Sequence, residues 1–282
     1  MRISVLIDNL PGDDPLLQSE HGLSFYIELE GHRILCDMGA SDKFLANARQ
    51  MDIDLSAIDF AFVSHGHVDH TGGLLAYLQA FEEKKVYLSN QVFEAEYYSS
   101  RRGLKRNISS DAMIEQCFRN RLFPLDSSTW ITSRVAAIYT DVHDYSKPYG
   151  NCFLTKKEEG AEERADDFTH ELSLAIRTSE GLVIVSSCSH GGAVNIMRSC
   201  CRFMGEEKVY AFIGGLHLVD SGRMEQEVDV FMKEVRETYP DVLLYTGHCT
   251  SDVAKQALQH GKMNIRFFRT GSRINVFPYY VL

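Results

Sequence analysis

A recurring unit of an apolar strand, a loop with polar side chains and a helix constrains the fold of this 282-residue chain more than any other feature. In the second half, predicted strands over Val209–Ile213 and Val242–Tyr245 are followed by predicted helices over Gln226–Tyr239 and Asp252–His260. This alternation predicts sheets flanked by helices, with chemistry at the carboxyl ends of the strands. Since the units continue without a break, the sequence predicts one α/β (α+β) domain over residues 1–282.

The remaining elements follow from short apolar runs and turn residues. The predicted strands and helices, in chain order, are Ile3–Ile7, Ser24–Glu30, Arg33–Cys36, a helix over Phe44–Met51, Phe60–Val63, a helix over Leu74–Phe81, Val86–Leu88, Leu172–Arg177, Leu182–Ser186, a helix over Ala193–Met204, Ile265–Phe268 and Ile274–Phe277. Residues 90–150 are less regular, and we interpret them as a partly helical insertion that covers a site. The acidic run Glu158–Asp167 is interpreted as a solvated loop.

Composition limits the function classes. The net charge of −10 argues against broad nucleic-acid binding and against a nuclease, because neutralising phosphates requires clustered Lys and Arg. No segment approaches the roughly 18 apolar residues of a membrane span, and the first residues lack a signal-peptide pattern. The seven cysteines are odd in number and follow no scaffold spacing, which is typical of reduced thiols. We therefore expect a cytoplasmic protein that acts on a small molecule, without nucleic-acid or membrane partners.

The stretch SHGHVDHTGG, from Ser64 to Gly73, carries the strongest chemical signal. Imidazole and carboxylate groups are ligands for zinc, iron and manganese. His65 and His67 are two residues apart, so in an extended segment their side chains project to the same side and can meet one ion. Asp69 and His70 follow as the chain turns towards a helix and can face a second ion. Two ions about 3.5–4 Å apart can hold a bridging hydroxide, which is a hydrolytic nucleophile.

Four residues cannot complete two metal sites, so later residues must contribute ligands. The candidates lie at strand ends: Cys188 and His190 in SSCSHGG, and His248 in YTGHCT. His170, before the strand at Leu172, and His217, in GGLHL, are further possibilities. The sequence leaves open which of them complete the sites.

The stretch His65–His70 matches the HxHxDH signature, and the chain resembles the metallo-β-lactamase superfamily. Within it, the chain is similar to the 7,8-dihydropterin-6-methyl-4-(β-D-ribofuranosyl)-aminobenzene-5′-phosphate synthase-like branch, also called dihydropteroate-synthase-like. The stretches that carry this resemblance are LIDN, EHGLSF, ILCDMG, DDFTHEL, CSHG, GGLHL and GHCT, which span nearly the whole chain. The resemblance implies a four-layer αβ/βα sandwich of two mixed sheets, with helices outside and a dinuclear metal site at one edge.

The resemblance also implies which residues bind metal: His65 and His67 the first ion, and Asp69, His70 and His248 the second. This sequence departs from the superfamily where an Asp usually bridges both ions. Cys188 stands there instead, and His190 follows two residues later. A Cys188 thiolate can ligate zinc or iron; alternatively, Cys188 packs in the core and His190 takes the metal. The missing Asp argues against β-lactam hydrolysis.

These observations favour a metal-dependent hydrolase or phosphoester-processing enzyme with a dinuclear metal-activated hydroxide and a small phosphate- or pterin-bearing substrate. The expected cofactors are two divalent ions, zinc in the first place, with iron or manganese as alternatives. Asp69 could orient the nucleophile or accept its proton, and His217 could donate to a substrate oxygen or be an ordinary loop histidine. The alternatives are a pterin-precursor synthase of the branch's named type and a non-hydrolytic metal- or redox-binding protein.

Other polar and aromatic residues have two interpretations each. The basic group Arg101, Arg102, Lys105 and Arg106 could bind a substrate phosphate, but is more typical of a solvated loop. Asp8, Asn9 and Asp37 could orient metal-binding histidines or simply form turns, and Glu20-His21 could reach the rim of a pocket. Aromatic residues in 90–150, namely Phe93, Tyr97 and Tyr98, would suit a planar ring. Phe277, Tyr279 and Tyr280 could make a contact in a homodimer or finish a strand.

Overall fold

The computed structural model describes residues 1–220 and 222–277, and the backbone alone of Arg102. The strands are β1 (Arg2–Ile7), β2 (Ser24–Leu29), β3 (His32–Cys36), β4 (Phe60–Phe62), β5 (Lys85–Ser89), β6 (Ala95–Ser99), β7 (Arg106–Asn107), β8 (Leu122–Leu125), β9 (Thr129–Trp130), β10 (Val135–Tyr139), β11 (Leu154–Glu158), β12 (Arg164–Ala165), β13 (Leu172–Thr178), β14 (Gly181–Val185), β15 (Val209–Ile213), β16 (Leu243–Thr246), β17 (Ile265–Phe267) and β18 (Arg273–Asn275). The helices are α1 (Lys43–Gln50), α2 (Val68–Thr71), α3 (Leu74–Ala80), α4 (Met113–Phe118), α5 (Ala193–Met204), α6 (Met224–Thr238) and α7 (Asp252–His260).

The chain divides into two compact units, each with its own sheet and core. The first unit comprises residues 1–93, 109–124 and the described residues from 268. Its seven-stranded sheet has the order β18-β1-β2-β3-β4-β5-β8. The apolar faces of α1 and α3 pack on this sheet, and their buried side chains include Phe44, Leu74 and Tyr77.

Parallel pairing in the first unit brings two loops to the same sheet edge. Strand β4 pairs in parallel with β3 and with β5. The backbone N–H of Asp37, just after β3, donates to the carbonyl of Phe62 at the end of β4 (2.9 Å). The residues that follow both strands therefore emerge side by side, and His65 follows β4 within three residues.

The second unit comprises residues 94–108 and 125–267. Its larger sheet has the order β17-β16-β15-β14-β13-β10-β9, and its smaller sheet has the order β12-β11-β6-β7. Strands β14, β15, β16 and β17 are parallel, and α5, α6 and α7 bury their apolar faces in the core of this unit. Since β14, β15 and β16 run in the same direction, the loops after them meet at one edge of the sheet.

Most predicted elements are confirmed to within one or two residues, and the bounds of α5, β15 and α7 are as predicted. The segment 90–150 contains more β-structure than predicted. In particular, Val135–Tyr139 is a buried strand that pairs with β13. Its sequence, VAAIY, has no alternating pattern because both faces of the strand are covered.

The acidic run Glu158–Asp167 is a second difference, because part of it forms a short hairpin with β11 and β12. Ion pairs offset its negative charge: Arg164 contacts Glu158 (2.8 Å) and Asp167 (2.7 Å), and the buried Lys156 also contacts Asp167 (2.7 Å). The mixed α/β class is confirmed, whereas a single domain with an insertion at about 90–150 stays a prediction.

Two further expectations concern the ends of the chain and membranes. Tyr279 and Tyr280, for which a homodimer contact and the end of a strand were both considered, lie outside the described residues, and Phe277 lies just after β18. None of the helices in the described ranges combines the length and the apolar character that crossing a bilayer requires.

Candidate metal sites

The first unit brings the residues of the histidine-rich stretch together, as predicted. The rings of His65 and His67 have centroids 4.6 Å apart, and those of His65 and His70 are 4.2 Å apart. All three histidines are buried. His65 and His67 lie in the extended loop after β4, whereas the short helix α2, which starts after His67, turns His70 back towards His65.

Hydrogen bonds fix the orientation of two of these rings. The Nδ1 atom of His70 is 2.8 Å from Oδ2 of Asp37, and Nδ1 of His65 is 2.8 Å from Oγ of Ser64. The Ser64 hydroxyl donates to Oδ2 of Asp37 (2.7 Å), so it accepts from His65. Both rings then carry their proton on Nδ1 and present the lone pair of Nε2, which is the arrangement that a metal ligand needs.

Asp37 is the centre of this network, and its backbone conformation is unusual. Its φ of 58° is rare for a residue with a side chain, and the residue is completely buried. Its Oδ1 accepts the backbone N–H of Ser64 (2.7 Å), and its carbonyl accepts the hydroxyl of Ser24 (2.7 Å). Of the two interpretations of Asp37, the structure supports the one in which it orients histidines.

Asp69, the fourth residue of the stretch, is only partly buried. Its Oδ2 is 3.7 Å from Nε2 of His70 and 3.4 Å from Nε2 of His21, an exposed side chain. Glu20 faces the backbone instead, where it accepts the N–H groups of Ala40 and Ser41 (3.0 Å each). Asp69 is therefore the member of the stretch that is best placed to meet a substrate or water.

Close packing holds the histidine loop in place. A Cβ on Gly72 would lie 2.2 Å from the carbonyl oxygen of Ala40, so only glycine fits there. On the other side, Ser110 donates from both its backbone N–H and its hydroxyl to the carbonyl of Gly66 (3.1 and 3.0 Å). Asp8 accepts the N–H of Leu10, and Asn9 accepts the N–H of Gly22.

The second unit gathers the later candidates at the carboxyl ends of β14, β15 and β16. Cys188, His190 and His217 place one ligand atom each within 4.8 Å of one another. Cys188, His248 and Cys249 form a second group by the same measure, and all five residues are buried. His217 and His248 have φ values of 49° and 46°. Cys249 is a new member, because nothing but its position beside His248 marks it in the sequence.

Three neighbours position His190. Its ring stacks on Phe168, with centroids 4.3 Å apart and planes inclined by 7°. Its Nδ1 is 3.0 Å from Oδ1 of Asn151, whose amide also donates to the carbonyl of His190 (2.8 Å). Nε2 of His190 is thereby the ring atom oriented for a ligand. Asn151 was not predicted, since it lies 39 residues away in the chain.

Glu171 supports the same loop through a fully buried carboxylate. Its two oxygens accept the backbone N–H groups of His190 and Gly191 (2.8 Å each). Burial raises the pKa of Glu171, the two N–H groups lower it, and the result is a pKa raised to about 7. Glu171 is within the quoted stretch DDFTHEL, but its type alone did not mark it as a functional residue.

His217 and Cys249 are in direct contact. The backbone N–H of His217 donates to Sγ of Cys249 (3.2 Å), and the ring of His217 is 4.2 Å from that of His190. Nδ1 of His217 is buried, and no residue that the structure describes forms a hydrogen bond with it. Although burial opposes the shift, hydrogen bonds with Cys188 and His217 and the charge of His248 hold the pKa of the Cys249 thiol well below its usual value.

Other candidates have ordinary partners. Nε2 of His170 is 3.1 Å from Oδ2 of Asp166, and its ring packs on the buried Tyr97. In the basic group, Lys105 forms an ion pair with Glu163 and lies 4.0 Å above the ring of Tyr98. Phe93 packs against the core of the first unit. The seven cysteines, all within the described residues, are free thiols.

In each unit, taken by itself, the candidate residues fit a divalent metal ion. Imidazole nitrogens, a carboxylate and thiols are the groups that zinc and iron prefer. Hydrogen bonds on Nδ1 orient Nε2 of His65, His70 and His190 as a ligand atom. The buried Nδ1 of His217 forms no hydrogen bond with any described residue, so it is a further candidate ligand atom. The structure thus contains clusters of His, Cys and Asp that can hold a metal.

Comparison with known proteins agrees with this chemistry. The family model of the metallo-beta-lactamase superfamily matches residues 19–138. A curated relative from Methanocaldococcus jannaschii, 7,8-dihydropterin-6-methyl-4-(beta-D-ribofuranosyl)-aminobenzene-5′-phosphate synthase, is 29% identical over 267 residues, which cover 89% of this chain and 87% of the relative.

Solved structures share the fold over nearly the whole chain. Tm1679, described as a metal-dependent hydrolase of the beta-lactamase superfamily, is 29% identical, with a TM-score of 0.80 and 98% of each chain covered. Zinc-bound PqqB from Methylobacterium extorquens is 11% identical, covers 98% of this chain and all of its own, and has a TM-score of 0.56, which shows the fold alone. The chain thus has the metallo-β-lactamase fold, and its resemblance to the metallo-β-lactamase superfamily and to the dihydropterin synthase-like branch is confirmed.

Proposed function

We propose that this protein is a metal-dependent hydrolase or phosphoester-processing enzyme that acts on a small phosphate- or pterin-bearing molecule. The observation that carries the proposal is the buried group of three histidines, in which Ser64 and Asp37 hold His65 and His70 with Nε2 oriented as a ligand atom. A purely structural role would not require the rings of His67 and His70 to lie 4.6 and 4.2 Å from the ring of His65. The proposed metal ligands are His65, His67, Asp69, His70, Cys188, His190 and His248.

When bound, divalent ions would supply Lewis-acid activation of water and of a substrate oxygen. The residues of the chain have separate tasks. Asp69, which is partly exposed, would orient the attacking water and accept its proton. His217 would donate a proton to a substrate oxygen or leaving group through a ring that packs against His190. Asp37, Asn151 and Glu171 would hold the ligands in position without touching the substrate.

The relative from Methanocaldococcus jannaschii supports a second candidate function. It is 29% identical over most of both chains, and its name describes a synthase rather than a hydrolase. In that case the protein would join a dihydropterin, through its 6-methyl carbon, to a ribofuranosyl aminobenzene phosphate. We propose the same metal ligands for both functions, so the metal is tested first and the reaction second.

The metal is tested by elemental analysis of protein purified without added metal or chelator. We expect about two equivalents of zinc, iron or manganese per chain. His67→Ala should lower the content, because it removes a buried member of the histidine group, whereas His260→Ala, at the exposed end of α7, should leave it unchanged. A protein that binds no metal even after reconstitution would contradict the proposal.

The reaction is tested with the metal-loaded protein and two sets of substrates. The first set contains phosphomonoesters, phosphodiesters and lactones, and the second pairs a dihydropterin bearing a leaving group on its 6-methyl carbon with ribofuranosyl aminobenzene phosphate. Hydrolysis that is lost in Asp69→Asn supports the first function. Formation of the coupled product, detected by its mass and without hydrolysis of the first set, supports the synthase instead.

A further inference from the structure

Cys249 is the one thiol in this region for which the proposed ligand set has no use. Cys249 follows His248 directly and lies 61 positions after Cys188 in the chain. In the structure, Sγ of Cys249, Sγ of Cys188 and a ring nitrogen of His248 all lie within 4.8 Å of one another. The three residues are buried, with exposures of 7%, 4% and 5%. Ligand atoms at this separation can share one metal ion.

We propose that Cys188, His248 and Cys249 form a thiolate-rich metal position, in which Cys249 is a ligand beside the proposed ones. This inference rests on the proposed metal-dependent function and narrows the choice of metal. Two thiolates and an imidazole are soft ligands, which favour zinc or iron(II) over manganese, magnesium and calcium.

The backbone around Cys249 is built to receive a sulfur atom. A Cβ on Gly215 would lie 2.3 Å from Sγ of Cys249 and 2.7 Å from the carbonyl oxygen of Ser187, so the absence of a side chain at Gly215 makes room for the sulfur. The N–H of His217 donates to the same sulfur (3.2 Å).

Packing alone does not explain this arrangement. Cys188 and Cys249 do form a small apolar cluster with Val219, as buried cysteines often do. Packing, however, would not account for an imidazole whose nitrogen approaches both sulfur atoms, nor for a backbone N–H directed at one of them. His248 has a φ of 46°, a strained conformation that persists only where the surrounding structure requires it.

The test uses cobalt(II) in place of the native metal, because cobalt–thiolate bonds absorb in the near ultraviolet and cobalt–imidazole bonds do not. We expect the reduced wild-type protein to show this absorption. Cys249→Ser and Cys188→Ser should each lower it to about half, because each removes one of two thiolate ligands. Cys201→Ser should leave it unchanged, since Cys201 lies in the core beside α6 and contacts Glu207 and Tyr239.

A second measurement needs no variant and so does not depend on whether the variants fold. X-ray absorption of the wild-type protein loaded with two zinc ions should show zinc–sulfur distances of about 2.3 Å and, averaged over both ions, about one sulfur neighbour per zinc, which corresponds to two sulfur ligands in total. An average of about half a sulfur neighbour per zinc, or none, would overturn the inference, as would unchanged cobalt absorption in Cys249→Ser. Cobalt that binds without thiolate absorption overturns this inference and leaves the proposed function standing. A protein that binds neither cobalt nor zinc overturns both.

Discussion

Nδ1 of His70 lies 2.8 Å from Oδ2 of Asp37, and both side chains are completely buried. The two residues are 33 positions apart and meet because β3 and β4 run in parallel and end at the same edge. The same carboxylate accepts the hydroxyl and the N–H of Ser64, which in turn contacts His65. One buried acid thus orients two of the three clustered imidazoles.

Replacing Asp37 by Asn should weaken metal binding while keeping the shape of the side chain. An amide at this position can direct an N–H towards Nδ1 of His70, which favours the tautomer with the proton on Nε2 and blocks the ligand atom. Loss of such a partner lowers metal affinity by about 10- to 100-fold. Competition with a chromophoric chelator measures this affinity. Affinity equal to the wild-type value would show that Asp37 does not set the tautomer.

Ser64→Ala should also weaken metal binding, by removing the contact between its Oγ and Nδ1 of His65. Ser64 and Asp37 share one network, so their effects should not be additive. We expect the double variant to lose less affinity than the product of the two single losses. The same chelator competition is measured on the wild type, the two single variants and the double variant, which together form a double-mutant cycle. Additive losses would indicate that the two residues act on their histidines independently.

Glu171 should make the stability of the metal-free protein depend on pH. Its pKa is raised to about 7 in the folded protein, above the ordinary value of 4.5 for a glutamate, so folding favours the protonated form. This contribution is fully present below about pH 4.5 and is lost as the pH rises through about 7. Thermal unfolding between pH 5 and 8 should therefore show a decline that is smaller in Glu171→Gln. Parallel profiles for the two proteins would contradict the prediction.

Gly215→Ala should destabilise the second unit and disturb Cys249. The added methyl group would lie 2.3 Å from Sγ of Cys249, and relief of such overpacking costs about 1–3 kcal/mol. Gly160→Ala is the control: its φ is +74°, but no atom lies within 4 Å of the added carbon, so only backbone strain of about 1–2 kcal/mol applies. Denaturant unfolding measures both free energies. Gly215→Ala must also weaken metal binding, whereas the control must not.

The sequence by itself determined most of the secondary structure and the grouping of the first four candidate metal ligands. Strands such as Phe60–Phe62 are short apolar runs with turn residues beside them, and the helix over Ala193–Met204 has apolar residues at helical spacing, so local pattern is sufficient. His65, His67, Asp69 and His70 lie within six residues, and a short loop and one helical turn can bring them together without any other part of the chain.

Tertiary structure decided what lies around those four residues and which of the later candidates meet. Cys249 contacts Cys188 across 61 residues, Asn151 contacts His190 across 39, and Glu171 holds His190 across 19. None of these pairs has a local pattern, because they are joined by the order and direction of β13, β14, β15 and β16 in the sheet. Parallel strands bring their carboxyl ends to a single edge, and strand pairing is set by long-range burial that a sequence read in short windows does not contain.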